Sequence, residues 1–145
     1  MKNKLKVRRK VRESVINQLI IECEDPDLKA NYESCKESIL VNSNNLKFVN
    51  EEWVTLLAND IVELQKLIEE YKSKNLLSEK IILMAYATLV YFERDDDVIP
   101  DYSLLFRGLK DDAVAITYVT SIIKKNYPEL AGEFDFSDGI VSEIE

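Results

Sequence analysis

Six aspartates lie between positions 95 and 112, and they are the residues of this chain best suited to chemistry. Pro100 and Gly108 lie among them, and both residue types are typical of turns. Proline fixes its own φ angle and forces the preceding residue into an extended conformation, so a helix cannot simply continue through Pro100. Strongly apolar segments flank this stretch on both sides. The pattern therefore predicts an acidic turn between two helices, with its carboxylates held in a set geometry.

Four of these aspartates are candidate binding residues, namely Asp97, Asp101, Asp111 and Asp112. Folding can bring the first three within a few Å of one another, and hard cations such as Mg²⁺ or Ca²⁺ prefer oxygen ligands of this kind. Asp111 and Asp112 are adjacent, so on a helix their side chains would point about 100° apart and could hardly chelate one ion together. Aspartate is also a favoured helix N-cap, and we expect one of these two to cap the helix that follows. Three interpretations stay open: helix caps, a metal or catalytic site, and an acidic surface that faces a partner.

The chain contains no histidine, which removes the commonest general base and the usual partner of a serine or cysteine nucleophile. Cys23 and Cys35 are the only cysteines, and without a second pair or a histidine they do not indicate a zinc site. We expect both to be reduced, half-buried thiols. Binding is therefore expected rather than catalysis, with no cofactor unless the aspartates hold Mg²⁺ or Ca²⁺.

Apolar residues at helical spacing predict the elements that would position these groups. The predicted helices cover about 4–23, 28–41, 51 to 72–74, 78–92 and 112–126. Asn50 is the expected N-cap of the third helix, and Trp53, the only tryptophan, is expected in the core. The fourth helix is apolar almost all round, which places it centrally.

The predicted fold is all-α, a single compact bundle of about five helices with the acidic turn between the last two long ones. At 145 residues the chain can bury one core without a stabilising crosslink, and we treat residues 1–145 as a single domain. Residues 128–145 form an acidic tail that we expect either to dock as a short helix or to stay mobile. The sequence has neither a signal peptide nor a transmembrane span, so we expect a cytoplasmic protein.

Charge is distributed unevenly along the chain. The basic arm, residues 1–12, holds seven cations and no acid: Lys2, Lys4, Lys6, Arg8, Arg9, Lys10 and Arg12. The formal net charge is −8, and since the arm contributes +7, residues 13–145 carry −15. The arm suits a solvated helix face, an anionic membrane surface or nucleic acid, or an acidic patch on its own or a sister subunit. The acidic body and the lack of interleaved aromatic residues disfavour nucleic acid and anionic membranes, and a homo-oligomer stays open.

The acidic turn also resembles a known family. Asp97-Val98-Ile99-Pro100-Asp101 and Gly108-x-x-Asp111-Asp112 look like the signature of the YkvA-like family of small bacterial helical domains. Tyr91 would match that signature too, whereas Asp95 stands where the family usually has proline. The resemblance covers about residues 78–126 and implies a bacterial helical domain, but the family is known by its sequence rather than by an activity.

The charge of the body and the lack of catalytic groups favour a non-catalytic, intracellular protein-binding module. A small acidic protein of this kind suits an inhibitor, immunity or antitoxin-type role, in which it masks the basic surface of a protein partner. The alternative is a divalent-metal enzyme or sensor centred on the four candidate aspartates. A weaker alternative is a peripheral membrane or nucleic-acid binder that uses the basic arm.

Overall fold

The computed structural model describes the backbone of residues 4–97 and 102–144 and the side chains of residues 4–94 and 108–142. Its elements are β1 (Leu5–Arg8), α1 (Arg9–Glu22), α2 (Leu28–Asn45), α3 (Glu52–Tyr71), α4 (Glu79–Asp97), α5 (Tyr102–Asn126), α6 (Pro128–Ala131) and β2 (Val141–Ile144). A 3-10 turn, Leu46–Phe48, leads from α2 towards α3. The predicted all-α bundle is confirmed, with the one-turn α6 and a two-stranded sheet added to it. None of the helices in the described ranges is long and apolar enough to cross a membrane.

The core forms where α3, α4 and α5 meet the remaining helices. Residues of α3 at helical spacing are almost fully buried, among them Leu57, Ile61, Leu64 and Ile68. Helix α4 is buried without interruption from Met84 to Val90, as its nearly continuous apolar sequence predicts. Trp53 is half-buried and packs against this core. The buried residues of these helices form one large contiguous hydrophobic cluster.

Several predicted helix ends are wrong. Helix α2 was predicted to end near residue 41 but continues to Asn45. Ser43 in this extension is buried, and its Oγ donates a hydrogen bond of 2.9 Å to the Leu40 carbonyl. Helix α3 begins at Glu52, with Glu51 in the N-cap position, so Asn50 does not cap it. Helix α4 runs beyond residue 92 to Asp97.

The first residues form a strand rather than the start of a helix. Strand β1 pairs in parallel with β2, in the register Leu5 to Val141 through Arg8 to Ile144. Apolar and cationic residues alternate along β1, which is the period of a half-buried strand. Val7 is buried in a small cluster with residues of α1 and α5, whereas its neighbours Lys6 and Arg8 are exposed.

Four charged side chains join α2 to α3 in an alternating network. Lys72 lies 2.8 Å from Glu33 and 3.0 Å from Glu69, and Lys36 lies 2.9 Å from Glu33 and 3.4 Å from Glu69. The hydroxyl of the fully buried Tyr32 donates a hydrogen bond of 2.8 Å to Glu69. The Tyr32 ring stacks on the Tyr86 ring, with 4.7 Å between their centroids. Hydrogen bonds from Lys72 and then Lys36 lower the pKa of Glu33 to about 2.

Replacing Glu33 with Gln should lower the free energy of unfolding near neutral pH by less than about 1 kcal/mol, because the pair is partly exposed and screened. The depressed pKa means that this contribution is complete above the unfolded value of 4.5 and is lost as the pH falls towards 2. Urea unfolding of the wild type and Glu33→Gln should therefore converge over that range. The exposed Glu24→Gln serves as the control for loss of a surface carboxylate outside this network.

Candidate functional site

Of the four candidate aspartates, Asp111 and Asp112 have described side chains. Asp97 is the last residue of α4 and its side chain lies outside the described part, as does the whole of Asp101. Asp111 and Asp112 lie well inside α5, which begins at Tyr102, so the prediction that one of them caps this helix is wrong. A single glycine such as Gly108 costs a helix only about 1 kcal/mol, and burial of the neighbouring leucine offsets that cost.

Asp111 and Asp112 occupy different surroundings on α5. Asp112 is 1% exposed, and burial raises the pKa of the half-buried Asp111 carboxyl. Across the residues with described side chains, no three acids or cysteines come together in a way that could hold a metal ion. Metal binding that involves Asp97 and Asp101 stays a prediction.

The basic arm docks on the C-terminal segment of its own molecule. The Leu5 amide donates 2.8 Å to the Ile140 carbonyl, and Lys4 Nζ donates 3.4 Å to the Asp138 carbonyl. Arg12 lies in α1 with its guanidinium carbon 5.9 Å from the centre of the Tyr118 ring. These contacts reach backbone carbonyls and an aromatic ring, and docking of the arm on an acidic patch stays a prediction.

Two carboxylates of α3 hold the tail in place. Asp60, which is 1% exposed, accepts hydrogen bonds from the Ser137 amide at 2.9 Å and the Ser137 hydroxyl at 2.6 Å. One turn later Glu63 accepts 2.9 Å from the Asp135 amide. Asn59 reinforces the junction, since its Nδ2 donates 2.8 Å to the Asp135 carbonyl and 3.1 Å to Asp60. A buried carboxylate is costly unless hydrogen-bonded, so these contacts fix the course of the tail.

Within residues 129–138 of the tail, apolar side chains pack inward while the acidic residues are exposed. Phe134 and Phe136 alternate with acidic or polar residues and pack against the core, with 6.2 Å between their ring centres. Phe134 also meets the Tyr71 ring edge-on at 6.3 Å. Lys124 of α5 donates a hydrogen bond to the Ser137 carbonyl, so α5 also contacts the tail. The period-two pattern therefore turns an acidic tail into an ordered acidic surface.

We call this surface the acidic corner and define it by four exposed carboxylates: Glu129, Glu133, Asp135 and Asp138. Tyr71 Oη donates 2.5 Å to Glu133, and this hydrogen bond raises the pKa of Tyr71. A cleft of about 460 Å³ opens beside the corner, with Glu129 and Glu133 on one wall. Leu76, at 53% exposure, lies on its apolar side. Its described lining includes no cation, so the cleft combines apolar contact with negative charge.

Another cleft, of about 610 Å³, lies between the α1–α2 turn and α4. Cys23 lines it, and burial raises the pKa of its thiol, which disfavours the reactive thiolate. Both cysteines are free and half-buried, as predicted. Cations and acids alternate around this cleft, so it has no single charge preference.

Sequence reasoning missed Asp60 and Glu63, although a signal was present. Both acids interrupt the apolar stripe that Leu57, Ile61 and Leu64 form along α3. Charged residues within a buried stripe are rare unless they are paired or hydrogen-bonded, so their positions indicated partners in another segment.

Comparison with protein-family models finds no match, and neither do comparisons with curated proteins and with solved structures. The resemblance to the YkvA-like family stays a prediction.

Replacing Asp60 with Ala should lower the free energy of unfolding by about 2–3 kcal/mol, because the partly buried amide and hydroxyl of Ser137 lose a carboxylate acceptor. Urea denaturation would measure this loss, and hydrogen exchange should show faster opening of residues 133–141. Asp135→Ala is the matched control, since the contacts of that residue described here use its backbone. We expect its stability to stay within about 0.5 kcal/mol of the wild type. A control loss as large as that of Asp60→Ala would contradict the anchoring role.

Proposed function

We propose that this chain is a non-catalytic, intracellular protein-binding module that masks a basic surface on a protein partner, as inhibitor, immunity and antitoxin-type proteins do. The observation that carries the proposal is the acidic corner, whose four carboxylates lie on a segment anchored by partly buried hydrogen bonds to α3. A charged surface held in one geometry loses little conformational entropy on binding, so more of its electrostatic complementarity becomes affinity.

Composition supports the same proposal. Residues 126–145 contain no lysine or arginine, so the corner's negative charge is not balanced by neighbours in sequence. In the cleft beside it, Leu76 and Leu130 can contact the apolar part of a partner's side chain, while Glu129 and Glu133 can pair with a positive charge at its end. Lysine and arginine side chains combine these two properties, and arginine is enriched at the energetic centres of interfaces.

The role of the corner can be tested by neutralising its charges. The variant combines Glu129→Gln, Glu133→Gln, Asp135→Asn and Asp138→Asn. Tagged wild-type protein should retain a basic protein from lysate of its native cell at low salt and release it as salt rises. The neutralised variant should bind that protein, once purified, at least tenfold more weakly, mainly through slower association.

The matched control removes four exposed acids elsewhere, through Glu13→Gln, Glu24→Gln, Glu37→Gln and Glu51→Gln. It has the same net charge as the corner variant, so a purely nonspecific attraction would weaken equally in both. Retention of the same proteins by the wild type and the corner variant would count against the proposed function.

A further inference from the structure

Among the residues that the structure describes, strand β1 is paired along one edge and open along the other. Parallel β2 is its sheet partner, and within the described ranges the sheet has two strands. The Leu5 amide donates to the Ile140 carbonyl, so the backbone groups of Leu5 point towards β2. Successive residues of a strand direct their backbone groups to opposite edges. The amide and carbonyl of Lys6 therefore point away from β2, along the open edge.

The open edge is exposed and cationic. The extensive contacts of β1 are with β2 and with α1, into which it leads. Lys6 and Arg8 are exposed on the outer face, while Leu5 and Val7 face inward. An unpaired strand edge is a template for another extended chain, and nearby charges select which chain it accepts.

Charge distinguishes between the candidates for this edge. A second copy of β1 would place Lys6 and Arg8 opposite like charges, which is destabilising. An extended segment with carboxylates on its outer face would place opposite charges across the new pair. On its other edge β1 pairs with Val141–Ile144, where Lys6 lies across from Ser142 and Arg8 across from Ile144, so neither cation has an acid as its cross-strand partner there.

We propose that the open edge of β1 binds an extended acidic segment of a partner protein as a third strand of the sheet. Main-chain hydrogen bonds to Lys6 provide the attachment, and Lys6 and Arg8 provide the selectivity for carboxylates. This site is separate from the acidic corner and binds the opposite charge, so it does not depend on the function proposed above.

A peptide with the sequence of residues 139–145, Gly-Ile-Val-Ser-Glu-Ile-Glu, is the probe, because it has the composition of the strand that β1 already accepts. Fluorescence anisotropy should show saturable binding to the full chain, and NMR hydrogen exchange should show slower exchange of the Lys6 amide. A peptide with both glutamates replaced by lysine should bind at least tenfold more weakly. Failure of the acidic peptide to bind would overturn the proposal.

Lys6→Pro is the decisive variant, because it removes the charge together with an amide that points away from β2, and proline is tolerated at such edges. It should keep the wild-type urea midpoint and lose at least tenfold in peptide affinity. Lys6→Ala, the control, removes the charge but keeps the amide and should lose less. Unchanged peptide binding by Lys6→Pro would mean that the peptide displaces β2, and a large stability loss would mean that the amide faces inward; either contradicts the proposal. A wild-type dimer that Lys6→Pro dissociates in sedimentation would overturn it in favour of a second copy.

Discussion

The hydrogen bonds that the buried carboxylate of Asp60 accepts from the tail are the interaction on which the position of the acidic corner depends. It lies inside the apolar stripe of α3, where an ionised group without partners would cost several kcal/mol. Ser137 meets that cost with an amide and a hydroxyl, and Glu63 repeats the arrangement with the Asp135 amide. Because the partners belong to the tail, the charge inside α3 specifies where the tail must run. Polar groups within a core can in this way select one chain path among several that bury similar apolar area.

The two ends of the chain carry opposite charge, and the fold brings them together. The chain concentrates cations in its first twelve residues and acids in its last eighteen, and the fold brings these two ends into one sheet. Two of the contacts between these ends reach backbone oxygens, the carbonyls of Ile140 and Asp138. The carboxylates of the acidic corner stay exposed. The molecule therefore remains polarised at its surface after its ends have met.

The sequence predicts the bundle well because helical periodicity is a local property. The stripe of α3 and the continuous apolar run of α4 both identify buried helices correctly. Strand β1 was missed because four alternating residues are too few to outweigh the helical pattern that follows them, and its partner lies at the far end of the chain. The cap expected at Asp111 or Asp112 was wrong for a related reason: the apolar packing of Leu109 extends α5 upstream past a glycine. Asp60 was visible as an anomaly, but its partner Ser137 could be known only from the tertiary structure.

The pairing of β1 with β2 also bears on how the chain acquires its structure. The sheet partner of β1 is Val141–Ile144, which follows the described helices along the chain and is therefore synthesised after them. The apolar inner face of β1 has no strand partner while those helices form. Closing a loop of about 140 residues rather than one of about 14 costs only about 2 kcal/mol more, so the delay matters for kinetics more than for stability. Long-range pairing of this kind slows folding, and helices complete their local contacts first. We therefore expect the sheet to form after the helical bundle during folding. We also expect it to be the first part of the native structure to open.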